Sequence, residues 1–211
     1  MVKQDRARRT YALVLNAAAE EFAAQGFAGA NLETIARRTG LTKGALYGHF
    51  PSKAALSAEL TRRFEQRWQE ALDAAAYSDS APVQVLDALL TNLADHVRND
   101  ALFGAGLRLV MDRAWSEGLR AKQVQELQEL LLRLVAVAQE GGMVDRSHRP
   151  EVLSRLLLAV LLGLRHLSAG SPEAQGDDSP QMWRMLLPPV RRAAPAELPE
   201  GSPTPHAAQE R

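Results

Sequence analysis

Apolar residues recur at helical spacing along nearly the whole chain of 211 residues. Segments such as residues 86–93 and 127–134 place their leucines on one helical face. No stretch alternates apolar and polar residues over enough positions to indicate a β-strand. The pattern predicts an all-α protein.

Capping residues, glycines and prolines divide the chain into predicted helices. Thr10, Asn31 and Thr42 are suited to cap helices, and Gly26 and Gly40 to end them. The predicted helices span residues 10–25, 32–39, 43–49, 52–76, 82–98, 102–115, 119–140, 150–169 and 181–187, the last ending at Pro188 and Pro189. Residues 194–211 are rich in Pro, Ala and Glu, and we expect them to form a disordered tail.

Charge is distributed unevenly, although 25 Lys and Arg residues balance 25 Asp and Glu residues. Residues 1–53 contain eight basic and four acidic residues, so the remainder of the chain carries a net charge of −4. Four of the basic residues lie close together as an N-terminal arm: Lys3, Arg6, Arg8 and Arg9. A basic head on an acidic body predicts that the head binds a polyanion.

The composition excludes several classes of function. The chain contains no cysteine, which excludes disulfides, thiolate catalysis and cysteine-bound metals. The five histidines lack metal-site spacing, and no Gly-x-Ser-x-Gly motif is present. We therefore expect no catalytic residue, metal or cofactor.

The densest apolar run does not predict a membrane helix. It covers residues 152–167, is interrupted by Arg155 and Arg165, and is shorter than the roughly 20 residues that span a bilayer. We expect a soluble, cytoplasmic protein without membrane contact.

Residues 32–50 fit a helix-turn-helix, in which two short helices cross steeply. Ala36 supplies the small side chain at the crossing, and Gly40 tolerates the positive φ of the turn. Ile35, Leu41 and Leu46 are expected to face inwards. The exposed positions around the third helix, which are small and polar enough to enter a DNA major groove, are Thr42, Lys43, Ala45, Tyr47 and His49.

Residues 42–53, with the sequence TKGALYGHFPSK, resemble the recognition helix and following turn of the TetR family of bacterial transcriptional repressors. Gly26, Phe27 and Gly40 also match the family's pattern. Gly48 departs from it, because the family commonly has a large residue there. Similarity extends over about residues 10–60.

The resemblance implies an N-terminal three-helix DNA-binding head, residues 1–53. It also implies a larger helical domain for ligand binding and dimerisation, residues 54–193.

The resemblance further implies DNA-binding roles for individual residues. Thr42 and Lys43 lie where side chains reach base edges, and a lysine can donate to O6 or N7 of guanine. Contacts with phosphates or the groove wall are implied for Thr34, Tyr47, His49 and Lys53. For the N-terminal arm, a position along the DNA backbone and one in the minor groove both stay open.

The predicted eighth helix is apolar almost all round, with ten Leu and Val residues between 152 and 167. Such a helix is covered on more than one side. We expect the same helix of a second subunit to cover it, together with the ninth helix around Met182, Trp183 and Leu186. A homodimer of this kind predicts a palindromic operator on double-stranded DNA.

By resemblance, a small-molecule inducer binds between the fifth, sixth and seventh helices. The predicted lining consists of Leu89, Leu93, Phe103, Leu107, Met111, Trp115, Leu127 and Leu131. The sequence alone favours core packing for these residues, because leucine stripes more often form a core than a pocket.

Residues 106–109 (GLRL) and 182–189 (MWRMLLPP) resemble the γ-butyrolactone receptor group. That group carries a tryptophan in the early seventh helix, whereas residues 122–129 contain none. A γ-butyrolactone-like ligand and an antibiotic-like ligand both stay open.

These features predict a ligand-responsive DNA-binding regulator, most simply a repressor that an inducer releases from its operator. The alternative is a helical protein-interaction module without DNA binding. The exposed residues of the third helix favour the regulator.

Overall fold

The computed structural model describes residues 2–168 and 179–187. Its elements are α1 (Val2–Gly29), α2 (Leu32–Thr39), α3 (Lys43–His49), α4 (Lys53–Ala76), α5 (Pro82–Asn99), α6 (Ala101–Ser116), α7 (Lys122–Glu140), α8 (Pro150–Ser168) and α9 (Ser179–Leu186). Within these residues no β-strand occurs, which confirms the all-α prediction. The pair Pro188 and Pro189 and the tail predicted at residues 194–211 lie outside the described residues.

The two short helices have the predicted limits, because local capping fixes them. The Asn31 side chain accepts a hydrogen bond from the Glu33 N–H at 2.8 Å, and Thr42 Oγ1 accepts from the Ala45 N–H at 3.2 Å. Gly40 has a φ of 66° at the end of α2.

The predicted start of the first helix is wrong. Helix α1 begins at Val2, and Thr10 lies inside it, donating its hydroxyl to the Arg6 carbonyl at 3.0 Å instead of capping the helix. Residues 2–9 are therefore helical and do not form an extended arm. Gly26 does interrupt the helix as predicted, with φ 67° and ψ −176°, but one further turn follows it.

Helix α7 begins at Lys122, three residues later than predicted. Gly118, with a φ of 67°, turns the chain after α6, and residues 119–121 are not helical. The remaining predicted ends differ from the observed ones by one or two residues, which is the range over which helix ends fray.

Two apolar cores lie side by side. The head core joins α1, α2 and α3 to residues at the start of α4, including Leu56 and Leu60. It also includes Ala105 and Leu109 of α6. The body core contains Phe64 and later residues of α4, and continues through α5 to α9. Helices α4 and α6 therefore contribute to both cores, and the division of the chain at residue 53 stays a prediction.

Candidate nucleic-acid interface

The turn between α2 and α3 has the geometry of a helix-turn-helix. The Leu41 N–H donates to the Ala36 carbonyl at 3.1 Å, and the left-handed Gly40 reverses the chain. Ile35 and Leu46 are fully buried in the head core with Phe22 of α1. This packing holds α3 against the molecule by one side only, as predicted.

The other side of α3 faces solvent. Thr42, Lys43 and Ala45 are exposed, Tyr47 is 41% exposed and His49 is half-buried. Thr34 of α2 is also half-buried. Five of the seven predicted DNA-binding residues thus lie on α3 or at its N-cap, and Thr34 lies on the neighbouring α2.

Lys43 and Glu33 form an ion pair across the turn. The Lys43 Nζ lies 2.8 Å from Glu33 Oε1, and both side chains are more than half exposed. The Lys43 ammonium lowers the pKa of the Glu33 carboxyl, and Glu33 raises the pKa of Lys43, chiefly through their hydrogen bond. Sequence analysis did not identify Glu33.

Lys53, the seventh predicted residue, is used differently. Its Nζ donates to the carbonyl oxygens of Ala28 and Ala30 at 3.2 and 3.1 Å, and lies 4.9 Å from the centre of the Phe27 ring. Lys53 therefore links the start of α4 to the end of α1. Two of the three N–H groups of its ammonium donate to carbonyls in the free protein.

A second residue that the sequence analysis missed is Glu21. Its side chain is buried, accepts a hydrogen bond from the Asn31 N–H at 3.1 Å, and lies 3.7 Å from the Arg38 guanidinium. The sequence contains one signal for the burial of Glu21, because this residue directly precedes Phe22 on the buried side of α1.

The joint between α1 and α4 carries a polar cluster. Glu59 accepts hydrogen bonds from Arg62 at 2.9 Å and from Arg63 at 2.8 Å. The bonds from Arg62, then Arg63 and Tyr11, lower the pKa of Glu59 from 4.5 to about 2, although burial acts in the opposite direction. Tyr11 in turn stacks on Phe50 with 4.8 Å between the ring centres.

A second polar contact joins the head to α6. The Arg108 Nη1 donates to the Ala23 carbonyl of α1 at 2.7 Å, and its Nε lies 3.3 Å from the Asp112 carboxylate. A Cβ at Gly26 would lie 2.8 Å from Asp112 Oδ2. The break in α1 therefore makes room for this contact.

The predicted ligand-binding residues mostly pack in the body core. Leu89, Leu93, Phe103, Leu107, Leu127 and Leu131 are buried there, and Met111 packs against them. Phe103 contacts Phe64 edge to face, with 4.9 Å between the ring centres. Trp115 does not join them, because its side chain is 83% exposed at the end of α6.

Two cavities lie next to these helices. The first, of about 570 Å³, is a groove between α4 and α5, lined by Arg67, Ala75, Leu89, Asn92 and His96 among others. Among the predicted ligand-binding residues, Leu89 alone lines this groove. The second, of about 1040 Å³, lies between the end of α1, α4, the end of α6 and the loop before α7, and contains none of the predicted ligand-binding residues.

Helix α8 exposes an apolar stripe. Val152 and Leu156 are 38% and 44% exposed, and Ala159 follows them on the same face. On α9, Met185 is 74% exposed. Trp183 is buried in the chain's own body core, so its expected place at an interface between subunits is wrong.

Among the described residues, no group of three or more metal-ligating side chains could hold an ion. None of the described helices is long and apolar enough to span a membrane.

The head matches a known family of sequences. Residues 14–60 match the model of bacterial regulatory proteins, tetR family. The chain is 29% identical over 199 residues to the A-factor receptor protein of Streptomyces griseus. The aligned region covers 90% of this chain and 67% of that protein.

Solved structures extend the match over the body. One of them is described as the molecular basis for control of antibiotic production by a bacterial hormone. It is 31% identical to this chain, with a TM-score of 0.55, and the match covers 84% of this chain and 93% of the other. A γ-butyrolactone receptor shares the fold at 23% identity and a TM-score of 0.60, covering 77% of this chain and 84% of its own.

Proposed function

Because the chain belongs to the tetR family of bacterial regulatory proteins, we propose that it is a ligand-responsive transcriptional repressor. The observation that carries this proposal is the position of α3. Its inner face is buried in the head core, and its opposite face is exposed at the surface of the head. The role is regulatory and not catalytic. A protein that binds chromosomal DNA works in the cytoplasm, which is the compartment that we propose.

In this proposal residues 1–53 form the DNA-binding head. Thr42 and Lys43 reach base edges, with Ala45 beside them. Thr34, Tyr47 and His49 contact phosphates or the groove wall. The polar exposed face of α3 supports these roles, since such a face can enter a major groove of about 12 Å. Lys53 donates two of its three N–H groups to carbonyls, and the third is the one that contacts phosphate in this proposal.

We place the dimer interface on α8. Val152 and Leu156 belong to an exposed apolar stripe on one face of this helix, whereas the opposite face is buried in the body core. The same stripe on a second copy would cover it around a two-fold axis. Two heads related in this way read two half-sites of a palindrome.

The proposed ligand is a small molecule of the γ-butyrolactone or antibiotic-like kind, and it enters the groove between α4 and α5. The groove has apolar walls at Val85 and Leu89 and polar groups at Arg67, Asn92 and His96. This combination suits a ligand with an apolar tail and a few polar oxygens. A ligand in the groove would contact Leu89 directly, and Leu89 packs in the same body core as Leu93, Phe103, Leu107, Met111, Leu127 and Leu131.

In this proposal the ligand releases the protein from DNA through α4 and α6, because each of these helices contributes residues to both cores. A ligand that moves these helices in the body also moves the residues that they contribute to the head core. Arg108 transmits the same movement to α1 through its bond to the Ala23 carbonyl. A ligand that favours one arrangement thereby changes the spacing of the two heads.

A mobility-shift assay on the DNA upstream of the protein's own gene tests DNA binding. Lys43→Ala and Tyr47→Ala are expected to weaken binding roughly tenfold or more, because each removes a DNA contact. The matched controls are Lys122→Ala on α7 and Tyr77→Ala at the end of α4, both on exposed side chains away from α3. Wild-type binding by both head variants would contradict the proposed surface, and absence of any binding would favour the protein-interaction alternative.

The ligand groove has its own test. Ala88 lines the groove, whereas Ala76 is exposed and does not line it. Ala88→Trp is expected to abolish release of the DNA by an acylated γ-butyrolactone or a competing antibiotic, and Ala76→Trp to leave it intact. Equal release from both variants would place the ligand elsewhere.

A further inference from the structure

The lysine at the start of α3 is paired with a carboxylate in the free protein. Lys43 is the only Lys or Arg residue in α3, and it is paired with Glu33 of α2 at 2.8 Å. On α2, the Arg38 guanidinium lies 3.0 Å from Glu20, and Arg37 lies close enough to Glu33 to help lower the pKa of its carboxyl. A carboxylate beside Lys43 weakens the attraction of this lysine for phosphates, so the pair does not serve phosphate binding.

The pair is held in place from the α2 side. Glu33 lies in the first turn of α2, where its N–H donates to the Asn31 side chain at 2.8 Å. Two residues further along, the buried Ile35 anchors α2 in the head core. Lys43 lies in the first turn of α3, so the pair bridges the N-terminal ends of both helices.

Stability does not account for the pair. Both side chains are more than half exposed, and exposed ion pairs contribute little to the free energy of unfolding. The same exposure means that Lys43 can exchange Glu33 for another acceptor at small cost. The pair therefore suits a contact that is broken and remade on DNA.

We infer that Glu33 is a positioning residue that determines sequence specificity, by holding Lys43 back from phosphates and presenting it to guanine in a G·C pair. This inference rests on the proposed DNA-binding function of α3. The O6 and N7 atoms of guanine offer two acceptors to a Lys43 ammonium held at this position. A phosphate attracts Lys43 through its negative charge, but the same charge repels Glu33.

The test uses an operator duplex selected from random-sequence DNA by the wild-type dimer, and a scrambled duplex of the same length. In Glu33→Gln, the freed Lys43 becomes a phosphate contact. Its affinity for scrambled DNA is expected to rise about three- to tenfold, with a salt dependence steeper by about one counterion. Selection with Glu33→Gln is expected to lose the preference for G·C at one position in each half-site.

Three further variants separate positioning from simple removal of charge. Glu20→Gln removes an equal charge from the exposed ion pair that joins Glu20 of α1 to Arg38 of α2, and is expected to leave the G·C preference unchanged. Glu33→Asp keeps the charge and is expected to retain part of the preference. If Glu33 acts through Lys43, then Glu33→Gln in a Lys43→Ala background changes neither the salt dependence nor the base preference.

The outcomes distinguish the inference from the function on which it rests. If the wild type selects no sequence, the proposed function fails and the inference fails with it. If the wild type selects an operator but Glu33→Gln keeps its scrambled-DNA affinity, salt dependence and base preference, Glu33 has no role in specificity and the proposed function stands. Equal effects with and without Lys43 would also overturn the inference.

Discussion

Individual side chains join the head to the rest of the molecule by contacts that span long stretches of sequence. Lys53 bonds to carbonyls that lie 23 and 25 residues before it, and Arg108 to one that lies 85 residues before it. Lys53 bonds to the carbonyls of Ala28 and Ala30, at the end of α1 and directly after it, and Arg108 bonds to the Ala23 carbonyl, near the break in α1 at Gly26. The residue that the family pattern places against phosphate is thus also part of the scaffold.

Lys53→Met tests this structural role. The substitution keeps most of the apolar side chain but removes both hydrogen bonds. The free energy of unfolding is expected to fall by about 1–2 kcal/mol, the usual loss for hydrogen bonds to a charged group at a half-buried site. Urea denaturation measures the change. Unchanged stability together with weaker DNA binding would show that phosphate contact is the main role of Lys53.

Glu59 gives the head a predictable pH dependence. Because its pKa is about 2 in the folded protein and 4.5 ordinarily, its stabilising contribution is complete above pH 4.5 and is lost as the pH falls towards 2. The difference in unfolding free energy between the wild type and Glu59→Gln is expected to shrink over this range. Urea denaturation at a series of pH values measures it, and a difference independent of pH would contradict the assigned cause.

Helices differ in how well the sequence predicts them. The limits of α2 and α3 were correct because Asn31 and Thr42 bond to N–H groups two and three residues away. The start of α1 was missed because residues 2–9 are mostly polar and carry little apolar periodicity. The pocket was not predictable because apolar spacing is the same for a helix that lines a cavity and one that fills a core.

Helix α6 depends on the glycine at its crossing with α4. A Cβ at Gly106 would lie 2.2 Å from Phe64 Cβ and 2.9 Å from the Leu60 carbonyl. Gly106→Ala is therefore expected to separate the two helices and to lower stability by about 2–3 kcal/mol.

The matched control for this substitution is Gly104→Ala in the same helix. There the nearest atom, the Val97 carbonyl oxygen, would lie 3.8 Å from the new Cβ. Its higher helix propensity is expected to raise stability by up to about 1 kcal/mol. Thermal unfolding of both variants measures the contrast, and equal effects would argue against close packing at Gly106.

At the scale of the whole molecule, function depends on two copies presenting two heads. The exposed stripe on α8 was foreseen from the sequence, because that helix has more apolar residues than one core can bury. The place of Trp183 was not foreseen, because its burial depends on how α9 folds back on α5 and α8.

Leu156→Glu places a charge in the middle of the proposed interface. The variant is expected to sediment as a folded monomer and to lose most of its operator affinity, since one head binds one half-site. Leu119→Glu, on a side chain that is 65% exposed in the loop before α7, is expected to leave the dimer intact. Analytical ultracentrifugation distinguishes the two, and a dimeric Leu156→Glu variant would place the interface elsewhere.

Recognition of DNA by the dimer is best measured by selecting random-sequence duplexes with the wild-type protein, because selection requires both the exposed face of α3 and two copies of the chain. We expect enrichment of a palindrome whose half-sites lie about one helical turn apart, roughly 10 base pairs or slightly more. Lys43→Ala is expected to change the enriched bases within each half-site. Enrichment of no sequence, or of a single asymmetric site, would show that the chain does not bind an operator as a two-fold dimer through α3.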